Sequence, residues 1–303
     1  MSELRKGLAA MLAACGIWGL SSIYYKQLSH IPPIEILAHR TLWSLLFFAA
    51  VLAVQGRLTR LRDVLSLRRA LAITALAALA ISANWFIFIL SIQIGRATEA
   101  SMGYYLFPLV AVAIGVVFFG ERLSRLQGVA VALAFIAVLV QAFGLGIAPW
   151  IALILSFTFG FYGLVKKRLS AGPVTSVTAE VLLLSPVAVI VLIMQHQTGG
   201  AFGGNMHDSV MLAFSGVLTG LPLILFSYAA QRAPMGTIGL LQYLNPTLQF
   251  LCAVLVLGEP FTPLHAVVFA LIWAAVAVYS LSALSRERAT RRAAVSAGTS
   301  GMV

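Results

Sequence analysis

The sequence predicts an all-α polytopic membrane protein of ten transmembrane helices, arranged as two inverted five-helix repeats. Three observations carry this: composition, the spacing of apolar runs, and an internal repeat. Hydrophobic residues make up 61% of the 303 positions and charged residues only 10%, against about 45–50% and about 25% in ordinary soluble domains. A water-soluble fold has too few charges here to cover its outside, whereas lipid tolerates such a surface. A bilayer core needs about 20 mostly apolar residues per helix. Runs of that kind fall at 7–27, 34–55, 69–94, 98–119, 126–143, 148–166, 174–195, 209–231, 236–257 and 263–284. The first is too long for a signal-peptide core and has no small-residue cleavage site before Tyr24-Tyr25-Lys26, so it reads as an uncleaved span.

Charge sets the orientation. With the N-terminus in the cytoplasm, the ten spans alternate and return the C-terminus to the same side. The inside segments then hold 17 of the 20 Lys and Arg residues, the outside only Lys26 and Arg96, and Arg40 lies within a helix. Basic residues near helix ends mark the cytoplasmic face, so the formal charge of +11 reads as a topology signal and not as a nucleic-acid surface. Cys15 and Cys252 lie in apolar runs without ligand-type neighbours and read as packing residues. The basic, then small and polar, stretch 286–303 reads as a disordered cytoplasmic tail.

The repeat is carried by residues that mean something in a membrane helix. Tyr105-Leu106-Phe107-Pro108 precedes Gly120-Glu121, and Tyr243-Leu244-Asn245-Pro246 precedes Gly258-Glu259, at a constant offset of 138 (243 − 105). Over 105–138 against 243–276, 12 of 34 positions match. Weaker similarity joins Trp18-Gly19 and Lys26 to Phe159-Gly160 and Lys167. The chain therefore divides into halves 1–145 and 146–285. Five spans per half is odd, so the second half enters the membrane from the opposite side, an arrangement found in secondary transporters with a midplane site between halves.

Candidate functional residues are those expensive to place in lipid. Arg40 lies five or six residues inside the second span, or about 8–9 Å at 1.5 Å per residue, with Glu35 and His39 one turn apart beside it. Glu180 sits at a similar depth in the seventh span, from the other side. The alternative for each is local pairing or snorkelling to headgroups. Glu99, beside Thr98 at the start of the fourth span, reads as a helix-dipole charge behind a threonine cap, or as a proton carrier. Pro108 frees the carbonyl of Tyr104 and Pro246 that of Gln242, so both halves are expected to break at equivalent points. Freed backbone groups at membrane depth face protein or a watery cavity. The expected cavity is lined by Asn84, Trp85, Tyr104, Tyr105, Gln242, Tyr243, Asn245 and Gln249 around the two proline breaks. The fifth and tenth spans are nearly featureless and expected at the periphery, and Gly216-xxx-Gly220 reads as a close-packing site. No phosphate-binding glycine loop, HExxH or G-x-S-x-G motif is present, so neither ATP-driven transport nor catalysis is encoded, and no metal or cofactor is expected.

GIWGLSSIYYKQL (16–28), EILAHRTLWS (35–44), ANWFIFI (83–89), EASMGYYLFPLVAVAIGVVFFGERLSRLQ (99–127), SFTFGFYGLVKK (156–167) and LQYLNPTLQFLCAV (241–254) closely resemble the RarD-type permeases. These belong to the EamA branch of the drug/metabolite transporter superfamily. The resemblance implies ten helices in two inverted repeats and an inner-membrane carrier of small metabolites or drugs. The expected function is a secondary active exporter or exchanger of a small molecule such as an amino acid or a drug, with proton coupling through Glu180 or Glu99 and a homodimer both left open. A channel-like facilitator and a non-transporting scaffold or sensor are the rival readings.

Overall fold

The computed structural model describes residues 3–120, 123–144, 148–166, 168–169 and 171–299. Among them the chain is helical, with one isolated bridge between Phe202 and Asn205. The helices are α1 (Glu3–Gln27), α2 (Pro33–Val54), α3 (Thr59–Ser66), α4 (Arg68–Gln93), α5 (Ala97–Phe119), α6 (Arg125–Gly144), α7 (Trp150–Lys166), α8 (Pro173–Gln197), α9 (Met206–Ala230), α10 (Met235–Leu241), α11 (Leu244–Leu251) followed by a π turn (Cys252–Val256), and α12 (Pro263–Thr299). Nine described helical segments are long and apolar enough to cross a bilayer, counting 237–256 as one; α7 is apolar but only 17 residues long. Large apolar side chains such as Leu46, Leu79, Phe135, Val187, Ile190 and Leu255 are exposed on the outer faces, as a lipid-facing surface requires.

The more extensive helix contacts are related in pairs. Pair α1 with α7, α2 with α8, α4 with α9, α5 with α11, and α6 with α12. Exchanging partners turns the α1–α9 contact into α7–α4, the α1–α11 contact into α7–α5, and the α2–α9 contact into α8–α4, all of which exist. The α2–α8, α5–α11 and α6–α12 contacts map onto themselves. Close helix approach occurs at the paired glycines. A Cβ on Gly19 would lie 2.5 Å from Leu248 Cβ where α1 crosses α11, and one on Gly160 would lie 3.4 Å from the Ala111 nitrogen where α7 crosses α5. Gly216 and Gly220 press against Trp43 and Phe47 of α2, as the small-residue spacing suggests. α6 and α12 pack on each other and lie at the periphery, α6 being the least buried of the nine described segments long enough to span.

Three differences from the sequence reading have physical causes. First, the halves do not break alike. α5 runs unbroken through Pro108, whereas the counterpart segment is interrupted between α10 and α11, ahead of Pro246. There the turn tightens: Tyr243 N–H donates to Leu240 O at 3.2 Å, and Asn245 N–H donates at 3.1 Å to the Gln242 carbonyl that Pro246 leaves without its usual donor. Gly239, a weak helix former, stands where α5 has Ser101. Second, α12 continues to Thr299 where a disordered tail was expected from 286; the Arg- and Ala-rich run RERATRRAA favours helix. Third, 59–66 forms a short helix that the apolar-run count passes over, with Val64 buried. The repeat glycines Gly120 and Gly258 have φ of 64° and 70°, which explains why glycine ends both segments. Glu121 lies outside the described residues.

Candidate functional site

A cavity of about 1230 Å³ lies between the halves. Helices α1, α2 and α4 bring Trp18, Tyr25, Arg40, Asn84 and Trp85 to its wall, and α5 brings Tyr104, Phe107 and Pro108. The second half contributes Phe159, Tyr162 and Lys166 from α7, with Gln242, Tyr243, Asn245, Pro246 and Gln249 around the α10–α11 break. The cavity reaches the bundle end that holds Ala171, Pro173, Tyr279 and Ser280. It stops short of the opposite end.

That opposite end is closed by a buried apolar cluster including Tyr24, Leu28, Ile31, Ile92, Ile151 and Leu212, and by polar ties. Gln93 Nε2 donates to Ile31 O at 2.8 Å. Glu259 accepts from the Ala97 and Thr98 amides at 2.5 and 2.7 Å, so it caps α5 from the connection ahead of α12. Thr98 is not the cap: its buried hydroxyl has no partner. Glu99 in turn accepts from the Ile151 and Ala152 amides at the start of α7, at 3.1 and 3.4 Å, and pairs with Arg96 at 2.5 Å. A carboxylate at a helix N-terminus meets both orphan amides and the positive dipole end. Glu35 accepts from Ala201 N–H at 2.7 Å, and His39 stacks on Phe202 at 4.9 Å, so both hold the 198–205 loop against α2. None of Glu35, His39 and Glu99 lines the cavity.

Arg40 and Glu180 occupy matching positions, eight residues into α2 and α8 counted from Pro33 and Pro173, yet their surroundings differ. Arg40 is 7% exposed. Its Nη1 donates to the Tyr25 hydroxyl at 2.8 Å, and its guanidinium carbon lies 4.1 Å from the Trp85 ring centroid. Its buried Nε has no hydrogen-bond partner, and among the described residues no carboxylate comes within ion-pair distance. Glu180 is fully buried and fully occupied. Its Oε1 accepts from Lys166 Nζ at 2.9 Å and Ser176 Oγ at 3.0 Å, and its Oε2 accepts from the Tyr162 hydroxyl at 3.0 Å. Lys166 Nζ also donates to Tyr162 Oη at 2.8 Å.

The remaining predicted residues divide. Asn84 donates to Leu155 O at 2.9 Å and accepts from the Tyr104 hydroxyl at 2.9 Å, while Gln249 Nε2 reaches Asn245 Oδ1 at 3.2 Å. The buried Tyr243 hydroxyl and Gln249 Oε1 have no partner. Tyr105 does not line the cavity. Adjacent helix residues point about 100° apart, so Tyr104 takes the cavity side and Tyr105 turns inward to meet Thr247 at 2.6 Å, stacking on Tyr243 at 6.3 Å. Tyr25, Tyr162 and Lys166 were missed as wall residues. Their signal was the weak α1–α7 similarity, which sets Tyr25 opposite Lys166 (166 − 25 = 141).

The EamA-like transporter family model matches twice, over residues 5–143 and 146–281. "Protein RarD" of Streptomyces exfoliatus is 42% identical over 96% of this chain and 93% of its own length. "Uncharacterized transporter YojE" of Bacillus subtilis is 38% identical over 96% and 98%, and "Protein RarD" of Escherichia coli 37% identical over 96% and 99%. A solved crystal structure, 18% identical, superposes with a TM-score of 0.61 over 91% of this chain and 97% of that one, a likeness of fold. Apolar helices around a polar and aromatic hollow, with these relatives, define a multi-pass membrane transporter. Within that class, the chain belongs to the EamA-like transporter family as a RarD-type permease.

Proposed function

We propose that this permease is a secondary active carrier of a small metabolite or drug, an exporter or exchanger in the bacterial inner membrane, working by alternating access. Ten spans form two inverted five-helix repeats with both termini in the cytoplasm. The twofold family match, the pairing of the more extensive helix contacts and the basic-residue bias support that reading. The single observation that carries the function is the cavity of about 1230 Å³ shared by both halves, sealed at one end and reaching the other. On the charge-based orientation the sealed end faces outward and the conformation is inward-facing. Arg40, Asn84, Trp85, Tyr104, Gln242, Tyr243, Asn245 and Gln249 contact substrate, and Arg40 anchors an acidic group. Glu180, held by Lys166, is the candidate coupling carboxylate.

Counterflow into proteoliposomes across a panel of amino acids, nucleosides, polyamines and chloramphenicol tests the carrier. Saturable counterflow for one class is the expected result, weakened in Arg40→Ala. Non-saturable flux for every compound makes the protein a channel-like facilitator instead. If imposed pH gradients leave the rate unchanged, exchange without proton coupling is the correct description.

A further inference from the structure

Resting on the carrier reading, we infer that the substrate is an organic monoanion, and that Glu180 sets this preference by cancelling the charge of Lys166. Arg40 and Lys166 are the ionisable Arg or Lys side chains among the described residues lining the cavity, and no Asp, Glu or His lines it. Arginine keeps its charge in protein surroundings. Lys166 is neutralised by Glu180, which lies behind the wall and spends both oxygens on Lys166, Tyr162 and Ser176. Among the described residues, the lining thus carries one uncompensated positive charge.

That charge is poorly satisfied. Arg40 is more than nine-tenths buried and its Nε is orphaned; Tyr25 and Trp85 supply a phenol oxygen and a ring face. A buried charge without a counter-ion is costly unless one arrives. A carboxylate, phosphate monoester or sulfonate meeting the guanidinium supplies it with charge-assisted hydrogen bonds. Trp85, Phe88, Tyr104 and Phe159 offer an apolar and aromatic wall for the body of the ligand. At the α10–α11 break, the unpartnered Tyr243 hydroxyl and Gln249 oxygen can bond a neutral polar group. They do not supply the carboxylate that an ammonium group calls for, so organic cations and net-neutral compounds are disfavoured.

The test uses four probes on a common phenylethyl frame with the purified full chain in nanodiscs: 3-phenylpropionate, 3-phenylpropanamide, phenethylamine and the dianion phenylsuccinate. Quenching of tryptophan fluorescence reports occupancy, since Trp18 and Trp85 line the cavity. The monoanion is expected to bind about 10-fold or more tighter than the amide and the amine, or about 1.4 kcal/mol. Arg40→Gln abolishes the difference and Arg40→Lys keeps it. Glu180→Gln unmasks Lys166 and shifts preference to the dianion, whereas the double variant Lys166→Gln/Glu180→Gln restores monoanion preference with both charges gone. Amine binding as tight as the carboxylate, no saturable carboxylate binding, or a Glu180→Gln protein with unchanged preference each overturns the inference. Counterflow with the four probes added to the panel separates this from the carrier reading: a cationic or neutral substrate in counterflow sinks only the monoanion, while no counterflow for any compound, 3-phenylpropionate included, sinks the carrier.

Discussion

Arg40 and Glu180 stand at matching positions of two related helices, and the contrast between them shows what the internal repeat does and does not conserve. It keeps the backbone: α2 and α8 each begin on a proline, pack on one another and present an ionisable side chain at the eighth residue. It does not keep the chemistry. At one site the cation faces the cavity with a phenol and an indole for company; at the other the acid is walled off behind a lysine and a tyrosine. Duplicated scaffolding with unlike side chains makes a polar axis out of a near-symmetric bundle.

That contrast can be broken from either side. The largest effect is expected in transport by Arg40→Ala. A charge-assisted hydrogen bond to ligand is worth about 1.5–3 kcal/mol, so half-saturation in counterflow should rise about 10–100-fold while the melting temperature moves little. Glu180→Ala should act on stability as well as on transport. Leaving a buried charge unpaired costs about 3–5 kcal/mol; because the Lys166 side chain is 21% exposed, the lower end is expected in thermal unfolding, with Lys166→Met restoring most of the loss. Gly19→Ala and Gly160→Ala sharpen the comparison at the paired crossings. The first overpacks α1 on α11 and should cost about 1–3 kcal/mol, while the second, with 3.4 Å of room, should unfold within about 1 kcal/mol of the parent. Tyr25→Phe is the smallest change. It removes the hydroxyl that accepts from Arg40 and should weaken or strengthen binding by no more than about 5-fold, roughly 1 kcal/mol.

The spans were legible because lipid leaves a one-dimensional record: every apolar run fell on described helix, although the run 236–257 is broken between α10 and α11 and α12 extends past 284. The short α3 escaped because its apolar residues, Leu61, Val64 and Leu65, are spaced for one face of a helix and do not form a run. The cavity was legible where polar side chains stand out against an apolar background, as at Asn84, Gln242 and Asn245. It was misread where sequence adjacency hid helical geometry, as with Tyr105. Lys166 was taken only as a cytoplasmic charge, since a residue at a span boundary looks the same whether it meets headgroups or a buried acid. The tertiary roles of Glu99 and Glu259 were beyond reach, because each caps a helix distant from it in the chain.

Those two carboxylates bear on turnover. Glu259 and Glu99 link the end of one helical segment to the start of α5, and α5 to the start of α7. If the sealed end opens once per cycle, these clasps must part and re-form each time, exposing helix ends whose amides then need water. Such a step has a steep temperature dependence and gains nothing from substrate outside. A bound molecule, by supplying contacts within the cavity, can offset the expense of unclasping, whereas an empty carrier has to meet it alone. The expected kinetic signature is trans-acceleration: substrate on the far side of the membrane speeds flux, and net movement into an empty compartment lags behind exchange.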